Sequence, residues 1–185
     1  MQARHRFQGG TDSALSLDAA LAGKDIPNEI RNTLALVEVP YISFEKEIRR
    51  GQLIVHSEVA EEVQNIFVQL LESRFPIARI IPVVAYGWDD AASMSANNTS
   101  AFNYRVIHGT NRLSNHSYGL AIDINPALNP YTQSDGVVVP LGARYDPQKP
   151  GTITTDIASL FKAYGWEWGG DWTRKDWQHF QKETK

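Results

Sequence analysis

Cysteine is missing from the chain. Disulfides, thiolate nucleophiles and cysteine-ligated zinc are thereby excluded, so any metal site must be assembled from His, Asp and Glu. Basic clusters are also scarce. Eighteen Lys and Arg stand against 21 Asp and Glu, for a formal net charge of -3, and Arg49-Arg50 is only a pair. The electrostatic footprint of a nucleic-acid binder is missing, and no nucleic-acid partner is expected. No apolar run approaches the roughly 20 residues of a membrane span. Asp12 and Asp18 interrupt the opening residues, which do not read as a signal peptide.

What is present is 185 residues, 42% hydrophobic, with seven Phe, seven Tyr and five Trp. That suffices for one sizeable core but not comfortably for two. Residues 1–25 are small and polar and are expected to form a flexible lead-in, leaving residues 26–185 as the folded domain. The stretch "LALVEVPYISF" suits a strand, Gly51 suits a turn, and "QLIVH" suits a second strand. Val59, Val63, Ile66, Phe67, Leu70 and Leu71 recur at helical spacing behind Ser57 and an acidic first turn. "ARIIPVVAYGW" reads as another strand, and "DDAASMSANNTSAFNYR" as mostly loop. Residues 126–151 carry five prolines and three glycines and predict a long irregular excursion. A short helix from about Thr155 to Tyr164 follows. Strands and helices mix without regular alternation, so the fold class expected is α+β: a small antiparallel sheet flanked by helices.

Of the five histidines, His56 reads as a capping-region residue and His108 lacks a carboxylate at a recognisable spacing. His116 and His179 each come with an acid. In "SNHSYGLAIDIN", alternation along residues 120–125 turns Leu120, Ile122 and Ile124 to the core and Asp123 away from it. Gly119 allows a bend that returns His116 toward Asp123. In "DWQHF", Asp176 lies three residues before His179. Two imidazoles and one carboxylate suit a catalytic zinc site, with a second carboxylate as general base. The same residues also suit a hydrogen-bonded His116–Asp123 pair and a core histidine at 179, and spacing does not choose between these readings.

The two motifs together resemble the VanY-like D-alanyl-D-alanine carboxypeptidase family of zinc peptidases. "GQLIVH", "NNTSAFNYR", "GTNRLSNHSYGLAIDINPALNPY" and "GWEWGGDW" resemble the branch that contains L-alanyl-D-glutamate endopeptidases. The resemblance runs from about Val39 to Gln181. It implies a Hedgehog/DD-peptidase-like fold and one zinc ion bound by His116, Asp123 and His179. It further implies Asp176 as general acid/base and Arg105 as stabiliser of the oxyanion. Ser114, Tyr118, Asp171 and Trp168 are the expected supporting or substrate-contacting residues, with Asp171 orienting a zinc-bound imidazole. The implied substrate is the peptidoglycan stem peptide, cut by a monomeric periplasmic or extracellular enzyme. A D-Ala-D-Ala dipeptidase and a non-catalytic zinc-binding module are the alternatives.

Overall fold

The computed structural model describes residues 10–133 and 135–183. Residues 1–9 of the expected lead-in lie outside the described residues. The remainder of that segment packs on the body. Ser16 caps a single helical turn, α1 (Leu17–Ala20), by accepting from Ala19 N, and α2 (Asn28–Arg31) follows. The Asp12 carboxylate is buried and accepts from Tyr41 Oη at 2.7 Å, Arg49 Nη2 at 2.9 Å and Ile80 N at 2.8 Å. A small polar segment therefore acts as a fastener.

The reason lies in the hairpin it covers. β1 (Leu34–Ile42) and β2 (Ile48–His56) pair antiparallel over their whole length, from Leu34 opposite His56 to Ile42 opposite Ile48. On one face Val37, Val39, Tyr41, Leu53 and Val55 enter the main core. On the other, Leu34 and Ile54 meet Ala20, Leu21, Ile26 and Ile30 from the segments that precede the hairpin. A ribbon apolar on both faces needs two covers, and residues 15–30 supply the second. Gly51 is not a turn, contrary to expectation, but a mid-strand residue of β2. A Cβ there would lie 2.2 Å from Ile80 Cβ, so glycine is needed for close approach.

The main core is completed by α3 (Ala60–Glu72), which buries Val63, Ile66, Phe67 and Leu70 after a 3-10 turn at Ser57–Val59 capped by His56. "ARIIPVVAYGW" does not form the strand expected of it. Pro82 cannot donate to a ladder, and the chain instead makes a 3-10 turn over Val83–Tyr86 that ends at left-handed Gly87. The polar stretch after it contains one short helix, α4 (Asp90–Ser95), capped by Asp89.

β3 (Ala121–Asp123) comes next, then a two-residue hairpin of β4 (Tyr131–Thr132) and β5 (Val138–Val139) inside the proline-rich excursion. The excursion is pinned at its base by buried Asn125 and Asn129, whose amides both reach Gly151 O. α5 (Thr155–Lys162), β6 (Glu167–Trp168) and β7 (His179–Gln181) complete the chain. β7 is the centre of a three-stranded antiparallel sheet ordered β3-β7-β6. Phe180 stacks on Phe161 at 3.8 Å between ring centroids and locks this sheet to α5. The architecture is thus α+β as expected, but among the described residues it has three small antiparallel sheets in place of one.

Candidate metal centre and cleft

Asp123 of β3 stands directly opposite His179 of β7. Opposed residues of an antiparallel pair project to the same face. Ile122 and Phe180, the next opposed pair, therefore point the other way, into the core. His116 arrives from a 3-10 turn at Asn115–Tyr118, where the Ser114 hydroxyl accepts from His116 N. Gly119 ends that turn with φ +67, and a Cβ there would lie 2.5 Å from His56 N. The turn is thus pressed against β2, which fixes where the imidazole enters.

The three side chains converge. Asp123 Oδ1 is 3.0 Å from His179 Nδ1, Asp123 Oδ2 is 3.2 Å from His116 Nε2, and the two imidazole nitrogens are 3.2 Å apart. Their other nitrogens are already engaged. His116 Nδ1 meets the Ala101 carbonyl, a pure acceptor, so Nδ1 carries the proton and Nε2 keeps its lone pair. His179 Nε2 meets Gln181 Oε1 at 3.2 Å, and Gln181 is held in that orientation because its Nε2 donates to Glu167. His179 Nδ1 is thereby also left with a lone pair. Three acceptors facing one another with no hydrogen between them call for a cation. The separations fit one, since tetrahedral bonds of about 2.0–2.1 Å give an edge of about 3.3 Å. His116, Asp123 and His179 can together hold a metal ion.

The electrostatics agree. Burial pushes the Asp123 carboxyl up, but the His116 and His179 imidazoles override it and hold the group well below the ordinary carboxylate range. Burial depresses His179, but Asp123 and Asp176 outweigh it and raise the imidazole to about 9. In the absence of metal a proton serves as the cation.

A cleft of about 870 Å³ opens onto this group and is also lined by Arg105, Asp176 and Trp172. Asp176 Oδ1 is buried without a partner, and the carboxyl is raised to about 6 by burial, with the Asp123 charge adding to the effect. Arg105 Nη2 pairs with Asp90 Oδ2 at 3.1 Å, and Asp90 is held in turn by Asn103 Nδ2.

Three of the expected supporting residues lie elsewhere. Asp171 pairs with Lys162 at 2.6 Å and does not touch an imidazole; Gln181 fills that role. Trp168 is buried in the core and donates to Trp177 O. The tryptophan beside the site is Trp172, 5.4 Å from the His179 ring. Tyr118 is exposed and is not part of the cleft lining. Asp90 and Gln181 were missed by sequence reasoning. Gln181 had a signal, because residues two apart on a strand share a face with His179. Asp90 had none within a polar stretch read as loop.

Residues 108–182 match the family model described as D-alanyl-D-alanine carboxypeptidase, which bears out the resemblance read from the two motifs. The matched stretch contains His116, Asp123, Asp176 and His179, whereas Arg105 and Asp90 lie just before it. Among individual proteins, the chain is 39% identical over 70 residues to peptidoglycan L-alanyl-D-glutamate endopeptidase CwlK of Bacillus subtilis (strain 168). The similarity covers 37% of this chain and 38% of that protein, so well under half of the relative's length is matched. No solved structure shows significant similarity.

Proposed function

We propose that this protein is a zinc peptidase that hydrolyses peptidoglycan stem peptides, with a Hedgehog/DD-peptidase-like domain that takes in the Asp12 fastener and α1 as well as residues 26–183. The observation that carries the reading is the convergence of three metal-ligand atoms beside a carboxylate whose Oδ1 has no partner. The family match over the same residues supports the substrate class.

His116 Nε2, Asp123 and His179 Nδ1 would hold one zinc ion. When bound, zinc supplies Lewis-acid activation of water at neutral pH. Asp176 takes the proton of the attacking water and returns it to the departing amine. Burial raises its affinity for a proton above that of an ordinary carboxylate, which suits that exchange. Arg105 faces the same cleft and stabilises the negative charge that grows on the carbonyl oxygen. Asp90 positions the guanidinium for this. Ser114 sets the His116 turn, and Gln181 sets the His179 tautomer.

A partnerless acid with a raised pKa in the cleft favours catalysis over a purely structural zinc site. The cleft volume is toward the upper end of the roughly 300–1,000 Å³ of small-molecule pockets, which favours a peptide over a free dipeptide. Action on the cell wall implies a periplasmic or extracellular setting, and among the described residues no helix is long and apolar enough to cross a membrane.

The test is incubation of the zinc-loaded protein with defined muropeptides and identification of the fragments by mass. Cleavage should stop on chelation and return with zinc. Hydrolysis that survives exhaustive chelation overturns the metal assignment, and failure to cut any stem peptide overturns the substrate class.

A further inference from the structure

Four basic side chains line the cleft: Arg105, Arg112, Arg174 and Lys175. Two are already engaged. Arg105 pairs with Asp90, while Lys175 Nζ donates to Gly170 O at 2.9 Å and lies over the Trp177 ring. The guanidinium groups of Arg112 and Arg174 have no ion pair or hydrogen bond among the described residues, and both residues are exposed. The acids on the same cleft are mostly committed. Asp90 answers Arg105, Asp123 answers two imidazoles, and Asp176 is the proposed base, which leaves Glu183. Arg112 and Arg174 are therefore the two basic residues of the cleft lining left uncommitted among the described residues.

Both are mounted on held backbone. Arg112 closes a turn in which Ile107 N donates to Arg112 O at 2.8 Å and Arg112 N to Thr110 Oγ1 at 3.1 Å. Arg174 lies between Trp172, whose ring adjoins His179, and Asp176, and the backbone N–H groups of these two residues both donate to Gly169 O, at 3.2 and 3.1 Å. A guanidinium offers a planar fork that matches a carboxylate in two-point contact. Such a contact is weak in open water and strengthens when a bound peptide displaces solvent.

We propose that Arg112 and Arg174 form an anion subsite of the cleft that holds a carboxylate of the peptide substrate. The proposal deepens the peptidase reading and rests on it for the identity of the ligand. The carboxylate has two possible sources: the free C-terminus of the substrate, or an acidic residue inside it. The first makes the protein a carboxypeptidase in register, the second an endopeptidase.

The test uses one stem peptide with an internal D-Glu and a free C-terminus, its C-terminal amide, and its internal carboxamide. Either amidation is expected to raise KM for the native protein by about 10- to 100-fold, the range for a hydrogen bond to a charged group, with kcat little changed. Whichever amidation does so names the source. In the Arg112→Gln/Arg174→Gln double variant the penalty should largely vanish, and high salt should weaken it in the native protein. A double variant that keeps the native penalty, or a native protein indifferent to both amidations, overturns the subsite.

Calorimetric binding of the same peptides to zinc-loaded Asp176→Asn separates this outcome from failure of the peptidase reading. Equal affinity for acid and amide there overturns the subsite even if the native protein hydrolyses the peptides. An arginine-dependent preference for the acid, with no hydrolysis by the native protein, leaves the subsite standing and removes the peptidase reading.

Discussion

Asp123 and His179, 56 residues apart in sequence, face each other across β3 and β7 with 3.0 Å between carboxylate and imidazole. The strand pair aims both at the cleft while Ile122 and Phe180 anchor the same strands in the core. Asp123→Ala should leave the strands paired but strip the site of its anion. Metal affinity should fall by more than the roughly 10- to 100-fold typical of an outer-shell change, as read by metal analysis after gel filtration. Full zinc stoichiometry in that variant would remove Asp123 from the ligand set.

Gln181 Oε1 accepts a hydrogen bond from His179 Nε2–H, and Gln181 is itself oriented by Glu167. Gln181→Leu should therefore weaken zinc binding by about 10- to 100-fold while turnover at saturating zinc stays close to that of the native protein. A competition titration against a chromophoric chelator measures the first quantity. Unchanged affinity would mean that the tautomer is set without Gln181.

Asp176→Asn should keep metal and lose turnover by about 10²- to 10⁴-fold, the range for a general base. The same change should stabilise the metal-free protein at neutral pH by about 1–3 kcal/mol, since it removes a buried charge whose Oδ1 lacks a partner. The sign follows from a folded-state value near 6 against 3.8 for the free side chain. Below about pH 4 Asp176 is neutral in both states and the two proteins should be matched. From pH 4 to 6 the folded state holds a proton that the unfolded state has released, so native stability falls as pH rises, and above 6 the full difference remains. Thermal melts of the chelated proteins across this window check it, and a gap that widens toward acid pH would contradict the assignment.

Arg105→Ala should lower kcat more than it raises KM, with a loss of about 10²-fold or more expected for one oxyanion donor. Asp90→Ala, which frees the guanidinium from its 3.1 Å partner, should give a smaller loss of the same kind. Steady-state kinetics on one peptide distinguishes these outcomes. A pure KM effect in Arg105→Ala would make the arginine a substrate anchor.

The sequence alone determined the elements whose pattern repeats along the chain. The helical stripe of α3 and the outward turn of Asp123 against Leu120, Ile122 and Ile124 are periodic, and the β-branched and aromatic content of β1 favours a strand, so local geometry enforces all three. The absence of cysteine fixed the chemistry of any metal site before its place was known. Tertiary structure decided what depends on residues far apart. The hairpin needed a second cover, so the supposed lead-in became part of the fold around Asp12. Gly51 was read as a turn because glycine is ambiguous in sequence, and only the approach of Ile80 shows that it makes room. Asp171 went to Lys162 and Gln181 to His179, a choice made by the register of β3-β7-β6 and not by any spacing. His116, Asp123 and His179 each carry a lone pair that means little alone. Strand pairing and the Gly119 turn bring the three within reach of a single cation, and that convergence has no one-dimensional signature.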